Sequence, residues 1–167
     1  RVRAPDHVDQ LVVLAELGHR DANQPALQRQ GHVLAGNAQG AGAILKLLAE
    51  VRPVIADLPA MKDGFDEEYT NLTKTRKQVL VERHLVSREH AARSTGCGVL
   101  VDRRQSLAIM INEEDHLRMQ GIRAGLDLRT AHEMINAVDS ELEKQLPYAW
   151  DQRLGYLTAC PTNVGTG

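Results

Sequence analysis

Two short apolar runs, Cys97-Gly-Val-Leu-Val-Asp102 and Leu107-Ala-Ile-Met-Ile111, lie on either side of the polar tetrad Arg103-Arg-Gln-Ser106. Short runs of this kind, bounded by polar residues, read as strands, and the short gap between them makes a hairpin-like pair. The second run leads without a spacer into Asn112-Glu-Glu-Asp-His-Leu-Arg118. Three consecutive carboxylates at the end of a buried strand are costly unless they hold a ligand or a partner. Whatever fold the chain adopts must therefore carry an apolar strand pair with dense charge at one end.

The rest of the chain predicts helices around that pair. Leu128, Ala131, Ile135, Val138, Leu142 and Leu146 recur at three- and four-residue spacings, which predicts an amphipathic helix over 128–146. Asp127 is placed to cap its start and Pro147 to end it. A second helix is expected over 67–83, with Leu72, Val79 and Leu80 on one side. Tyr156-Leu-Thr158 reads as a further strand. Toward the N-terminus, residues 7–19 suit a helix stopped at Gly18, and 20–40 read as loop. Residues 41–51 suit a short helix ended by Pro53.

Composition divides the chain. Residues 1–64 contain no Phe, Tyr, Trp, Cys, Ser or Thr, and from Phe65 onward all of these occur. Serine is common in ordinary proteins, so a gap of that length marks a boundary near residue 65. There is no initiator Met, and Val164-Gly-Thr-Gly167 stops in a loop-like stretch, so the chain reads as a fragment. The net charge of -2 and pI near 6.4 point to neither a nucleic-acid nor an anionic-membrane partner. No run of eighteen apolar residues and no signal-peptide pattern is present, and two cysteines make neither a disulfide framework nor a metal site. The expectation is a cytoplasmic protein.

An acidic triplet is most often a solvated turn. Here it abuts an apolar strand and is followed by His116 and Arg118. If the segment is extended, alternate side chains share a face. Asn112, Glu114, His116 and Arg118 then project together, opposite Glu113, Asp115, Leu117 and Met119, and a bulge would shift this phasing by one. A carboxylate and an arginine on one face can hold a guanidinium at one end and a phosphate at the other. Cys160 lies between Thr158 and Thr162. A lone cysteine is usually a small core residue, although flanking hydroxyls can stabilise a thiolate. Cys97 has no such setting and is expected in the core. His84, His90 and His132 have no constellation around them by sequence alone.

Asn112-Glu-Glu-Asp-His-Leu-Arg118 resembles the signature of the phosphagen (guanidino) kinases. Gly155-Tyr-Leu-Thr-Ala-Cys-Pro-Thr-Asn-Val-Gly-Thr-Gly167 resembles their second signature, around a reactive cysteine. The resemblance covers about residues 68–167. Within it, Arg118-Met-Gln120 and Gln78-Val-Leu-Val-Glu-Arg-His84-Leu-Val-Ser87 look most like the bacterial protein-arginine kinases. The resemblance implies an α+β catalytic domain with an antiparallel sheet flanked by helices. It implies ATP-dependent phosphoryl transfer to arginine residues of proteins, with Mg2+ on the nucleotide, and a link to an ATP-dependent protease. A homo-oligomer is compatible with it.

Carried over residue by residue, the resemblance makes Glu114 the carboxylate that holds and helps deprotonate the guanidinium, with Glu113 in support. It implies that Arg118 contacts ATP phosphates, that His84 contacts the nucleotide, and that Cys160 lies beside the guanidinium. Asn112, Asp115 and His116 would support the signature, and no residue is expected to ligate a metal. Arg1-Val-Arg3 could be the remnant of a phosphate-binding Ser-x-Arg-x-Arg segment. The family's arginine-rich strand beyond Gly167 falls outside this sequence. Residues 4 to about 66 match nothing in the family, so 1–66 are expected to stand apart as an out-of-frame or wrongly joined stretch, and 67–167 to form a partial catalytic domain. Two other activities remain open: a kinase of free arginine or another small guanidino compound, and a non-catalytic module that binds nucleotide or phosphoarginine.

Overall fold

The computed structural model describes residues 41–125, 127–153 and 155–159. Its centre is a four-stranded antiparallel sheet, in spatial order β1 (Phe65–Glu68), β2 (Gly98–Val101), β3 (Leu107–Ile111) and β4 (Leu117–Gly121). The apolar runs form the expected antiparallel pair, with Val99 opposite Met110 and Val101 opposite Ala108. Every residue of β2 and β3 is buried. That is why these strands read as unbroken apolar runs rather than alternating ones: both faces of the sheet are covered.

The two-residue period of the strands sorts their side chains between two cores. Leu100, Ile109, Ile111, Leu117 and Met119 face α1 (Ala41–Ala56) and α4 (Leu128–Glu143). Val99, Val101, Ala108 and Met110 face the other way, toward Leu80 of α2 (Lys74–Glu82), Leu85, Val86 and Tyr69. A short α3 (Arg88–Ala92) adds the buried His90 to this second side. Cys97 is buried there too, as expected. The resulting α+β arrangement is the one anticipated. A small ribbon of β5 (Trp150–Asp151) and β6 (Gly155–Tyr156) follows α4.

Three elements differ from expectation. Helix α1 does not stop at Pro53 but runs through it to Ala56. A proline inside a helix loses one hydrogen bond and costs about 3 kcal/mol or more. Pro53 and Ala49, whose carbonyl loses its donor, are both exposed, so water can satisfy that oxygen. Val51 and Ile55 on the opposite side are fully buried, and such burial stabilises by about 1.5–3 kcal/mol per side chain. Packing outweighs the proline.

Second, Glu67 and Glu68 lie in β1, not in a helix over 67–83. Their backbone pairs with Val99 and Gly98, and α2 begins only after Thr73, whose side chain accepts from Arg76 N at 3.2 Å. Third, α4 is capped by Asp127 as expected, accepting from Thr130 N at 3.3 Å, but it ends at Glu143, ahead of Pro147.

The compositional boundary near residue 65 does not coincide with an edge of the packed unit. Leu47, Leu48, Val51 and Ile55 of α1 belong to the same core as the sheet. Arg52 bonds Asp66 at 2.6 Å and Glu68 at 2.7 Å on β1. An alanine- and leucine-rich helix needs only an apolar stripe to dock, so its lack of Ser, Thr and aromatics says nothing about packing. The helix expected over 7–19 and the loop over 20–40 lie outside the described residues.

Candidate functional site

The acidic septet is not an extended strand. Residues 112–116 form the turn that joins β3 to β4, closed by Asn112 N donating to His116 O at 2.9 Å. Asn112 has φ of +58°, a left-handed conformation that asparagine tolerates better than most residues. Its side-chain amide donates to Gly96 O at 2.6 Å and to Ile44 O at 3.0 Å. The turn is thereby pinned both to the loop before β2 and to α1.

This turn sets which carboxylate meets the arginine. Glu113, not Glu114, lies against Arg118, with Oε2 3.3 Å from Nη1. Glu113 is almost fully buried. Its Oε2 also accepts from Glu114 N at 2.6 Å, and its Oε1 accepts from Ser87 Oγ at 2.8 Å. Burial by itself would push the Glu113 carboxyl up. The Glu114 amide, the Ser87 hydroxyl and the Arg118 charge together outweigh it and hold the carboxyl below its ordinary value. Glu113 is therefore a fixed anion that aligns Arg118, while Glu114 is exposed on the same turn.

Ser87 was not singled out as a site residue by sequence. It caps α3 by accepting from His90 N at 2.9 Å and spends its proton on Glu113. The readable signal was a serine just ahead of a short helical stretch, a capping position. Replacing it, as in Ser87→Ala, leaves a buried carboxylate short of one donor. Urea denaturation should show a loss of about 1–3 kcal/mol, with Ser87→Thr recovering most of it. An unchanged midpoint in Ser87→Ala would contradict this account of Glu113.

Two further ties converge on the turn. Asp115 is buried and accepts from Ala159 N at 2.5 Å. The residue before Cys160 is thus held against the acidic turn, although Cys160 itself lies outside the described residues, as do Arg1 and Arg3. On β4, Gln120 shares a sheet face with Arg118, and its Nε2 donates to His84 O at 2.5 Å. The His84 side chain is exposed, and its backbone is left-handed at φ +56°. His90, which sequence left without a setting, is fully buried, with its ring 4.5 Å from that of Tyr69.

A buried carboxylate aligning a partly exposed arginine, with a second carboxylate exposed beside it, suits a reaction that neutralises phosphate charge next to a cationic acceptor. The sequence profile of the ATP:guanido phosphotransferase C-terminal catalytic domain matches residues 49–167. The chain belongs to that family. Among its relatives, a protein-arginine kinase of Clostridium novyi is 42% identical over 123 residues, covering 72% of the chain and 36% of that protein. A protein-arginine kinase of Halothermothrix orenii is 50% identical over 97 residues, covering 58% and 28%. The fold is shared with the substrate-free duplicated taurocyamine kinase from Schistosoma mansoni. That likeness has a TM-score of 0.72 at 24% identity, over 81% of this chain and 21% of that one. The chain therefore spans about a third of the length of the protein-arginine kinases it matches. The family match begins inside α1, in agreement with the packing of that helix onto the sheet.

Proposed function

We propose that the whole protein transfers the γ-phosphoryl group of ATP to the guanidinium of arginine residues in proteins. The observation that carries this reading is the Glu113–Arg118 pair held beside the exposed Glu114 on one turn. The names of the relatives, protein-arginine kinases at 42% and 50% identity, supply the acceptor.

A guanidinium has a pKa above 12 and is a poor nucleophile while protonated. In this reading Glu114 aligns it and accepts its proton as the N–P bond forms and the bond from the γ-phosphorus to the bridging oxygen breaks, with ADP leaving. Arg118, kept in place by Glu113, neutralises charge on the phosphate oxygens. His84 would meet the nucleotide, and Cys160 would lie beside the guanidinium. Arg1 and Arg3 would add phosphate contacts if the N-terminal stretch is native. Among the described residues no group of three or more His, Cys, Asp or Glu side chains is arranged to hold a metal ion. Mg2+ would accompany the phosphates of ATP. Phosphorylated chains would be passed to an ATP-dependent protease in the cytoplasm. Among the described residues no helix is long and apolar enough to cross a membrane.

The test is to incubate the whole protein with ATP, Mg2+ and either a denatured arginine-containing protein or free arginine. Acid-labile phosphoarginine on the protein is the expected result. Transfer to free arginine alone would move the assignment to a small-molecule guanidino kinase. ATP binding without transfer to either would leave only a nucleotide-binding module.

A further inference from the structure

His84 has a backbone conformation that its residue type does not favour. Helix α2 is capped by Arg83, and the chain then closes a two-bond turn: Leu85 N donates to Leu80 O and His84 N to Val81 O, both at 2.9 Å. This is the Schellman geometry, whose left-handed residue is usually glycine. Here that residue is His84, at φ +56°. Its side chain is exposed, so burial of the ring does not offset the strain. Leu80 and Leu85, on either side of it, are buried in the same core, which fixes the turn. A strained backbone beneath an exposed side chain points to a use for that side chain.

The carbonyl of His84 lies beyond the bonds of the helix cap and is met from the sheet instead. Gln120 Nε2 donates to it at 2.5 Å, and Gln120 is only 6% exposed. In β4, Gln120 stands opposite Ala108 and Arg118 opposite Met110. Ala108 and Met110 belong to the core shared with Leu80 of α2, so Gln120 and Arg118 occupy the sheet face on that side. Three residues after His84, Ser87 donates to Glu113, the anion that holds Arg118. The segment 84–87 is thus tied at both ends to residues on either side of Arg118 in the sequence. A buried amide adds no packing that an apolar side chain of the same length lacks, so the bond to His84 is what sets glutamine apart here.

We propose that Gln120 is a positioning residue for nucleotide binding, acting through the His84 carbonyl to fix the His84 turn on the sheet face that carries Arg118. An imidazole N–H reaches a ribose or phosphate oxygen only from a defined place. A turn set in advance lowers the ordering cost of binding. Gln120 itself touches neither the nucleotide nor the reacting atoms; its effect passes through His84. The inference rests on the nucleotide contact assigned to His84 in the function proposed above.

The affinity of the whole protein for ATP is measured by equilibrium titration in His84→Ala, Gln120→Met and the double variant, with urea midpoints alongside. Each single substitution should weaken ATP binding by about tenfold, the size of one hydrogen bond lost or misaligned, with kcat at saturating ATP kept. In the double variant the two losses should not add, because Gln120 acts only through His84. Gln120→Glu keeps the shape and exchanges the donor for an acceptor. It should weaken ATP binding in the same way, which separates the lost bond from lost packing. His84→Gly should relieve the turn and raise the urea midpoint while weakening ATP binding. Normal ATP affinity in both Gln120 variants, or losses that add to that of His84→Ala, overturns the positioning role. A lowered midpoint in His84→Gly overturns the strained turn on which the inference stands. Unchanged ATP affinity in His84→Ala removes the nucleotide contact of His84, and this inference with it. The expected pattern of ATP affinities in a protein that transfers no phosphate would sink the proposed function and leave Gln120 in its role.

Discussion

Glu114→Gln in the whole protein should lower phosphoryl transfer to arginine by about 10²- to 10⁴-fold, the usual contribution of a positioned general base, with ATP affinity kept. The substitution preserves shape and removes only the charge that, in the function proposed above, aligns the guanidinium and takes its proton. Glu114 is exposed and contributes its backbone N–H, not its carboxylate, to the hold on Glu113. Its replacement therefore leaves the Arg118 alignment intact. Glu113→Gln is the informative contrast. It removes the buried anion facing Arg118, so it should weaken ATP binding as well as transfer, and destabilise the turn. The two variants are separated by measuring nucleotide affinity alongside the rate. If Glu114→Gln keeps full activity, the base lies elsewhere.

Stability should fall by about 3 kcal/mol as pH drops from 6.5 to 4, through His90 alone. Burial is the main cause: it lowers the imidazole pKa to about 4, with Arg93 and Arg118 acting in the same direction. The bond to Gly98 O and the nearby Glu113 charge oppose this and do not overcome it. His90 Nε2 lies 3.1 Å from Gly98 O, so the neutral ring carries its proton there. A second proton on the buried Nδ1 would find no acceptor among the described residues.

The native state thus resists protonation that the unfolded chain accepts below its ordinary value of 6.5. Stability from this histidine is complete above that pH and lost as the pH falls toward 4. Glu113, with its carboxyl also held low, adds a further loss at still lower pH, below its ordinary 4.5. Urea unfolding midpoints across pH 4–7 should therefore slope in the native protein and flatten in His90→Asn between pH 6.5 and 4.5. A slope unchanged by that substitution would assign the effect to other groups.

Much of the sheet was legible because β2 and β3 are continuous apolar runs, and a strand covered on both faces needs no alternation to be recognised. Helix α4 was legible because one face is apolar at helical spacing and Asp127 precedes it. Strand β1 was not, since Phe65-Asp-Glu-Glu68 has a helix-like composition and becomes a strand only by pairing with β2, about thirty residues away. The run of α1 through Pro53 was hidden for a related reason: the burial of Val51 and Ile55 that offsets the proline comes from elements far along the chain.

The candidate site divides in the same way. The residue inventory of the septet, and hence the kind of chemistry it can support, was readable from its order alone. Its phasing was not, because an extended reading pairs Glu114 with Arg118, whereas the left-handed turn at Asn112 brings Glu113 there instead. The Ser87–Glu113 bond and the Asp115–Ala159 tie were invisible because they join segments with no local relationship. By itself the sequence determined the strand pair, the amphipathic helix and the presence of two carboxylates and an arginine, since those follow from side-chain type and local spacing. Only the tertiary structure decided which carboxylate is a buried support and which stays exposed, because burial depends on what packs from elsewhere against each side of the turn.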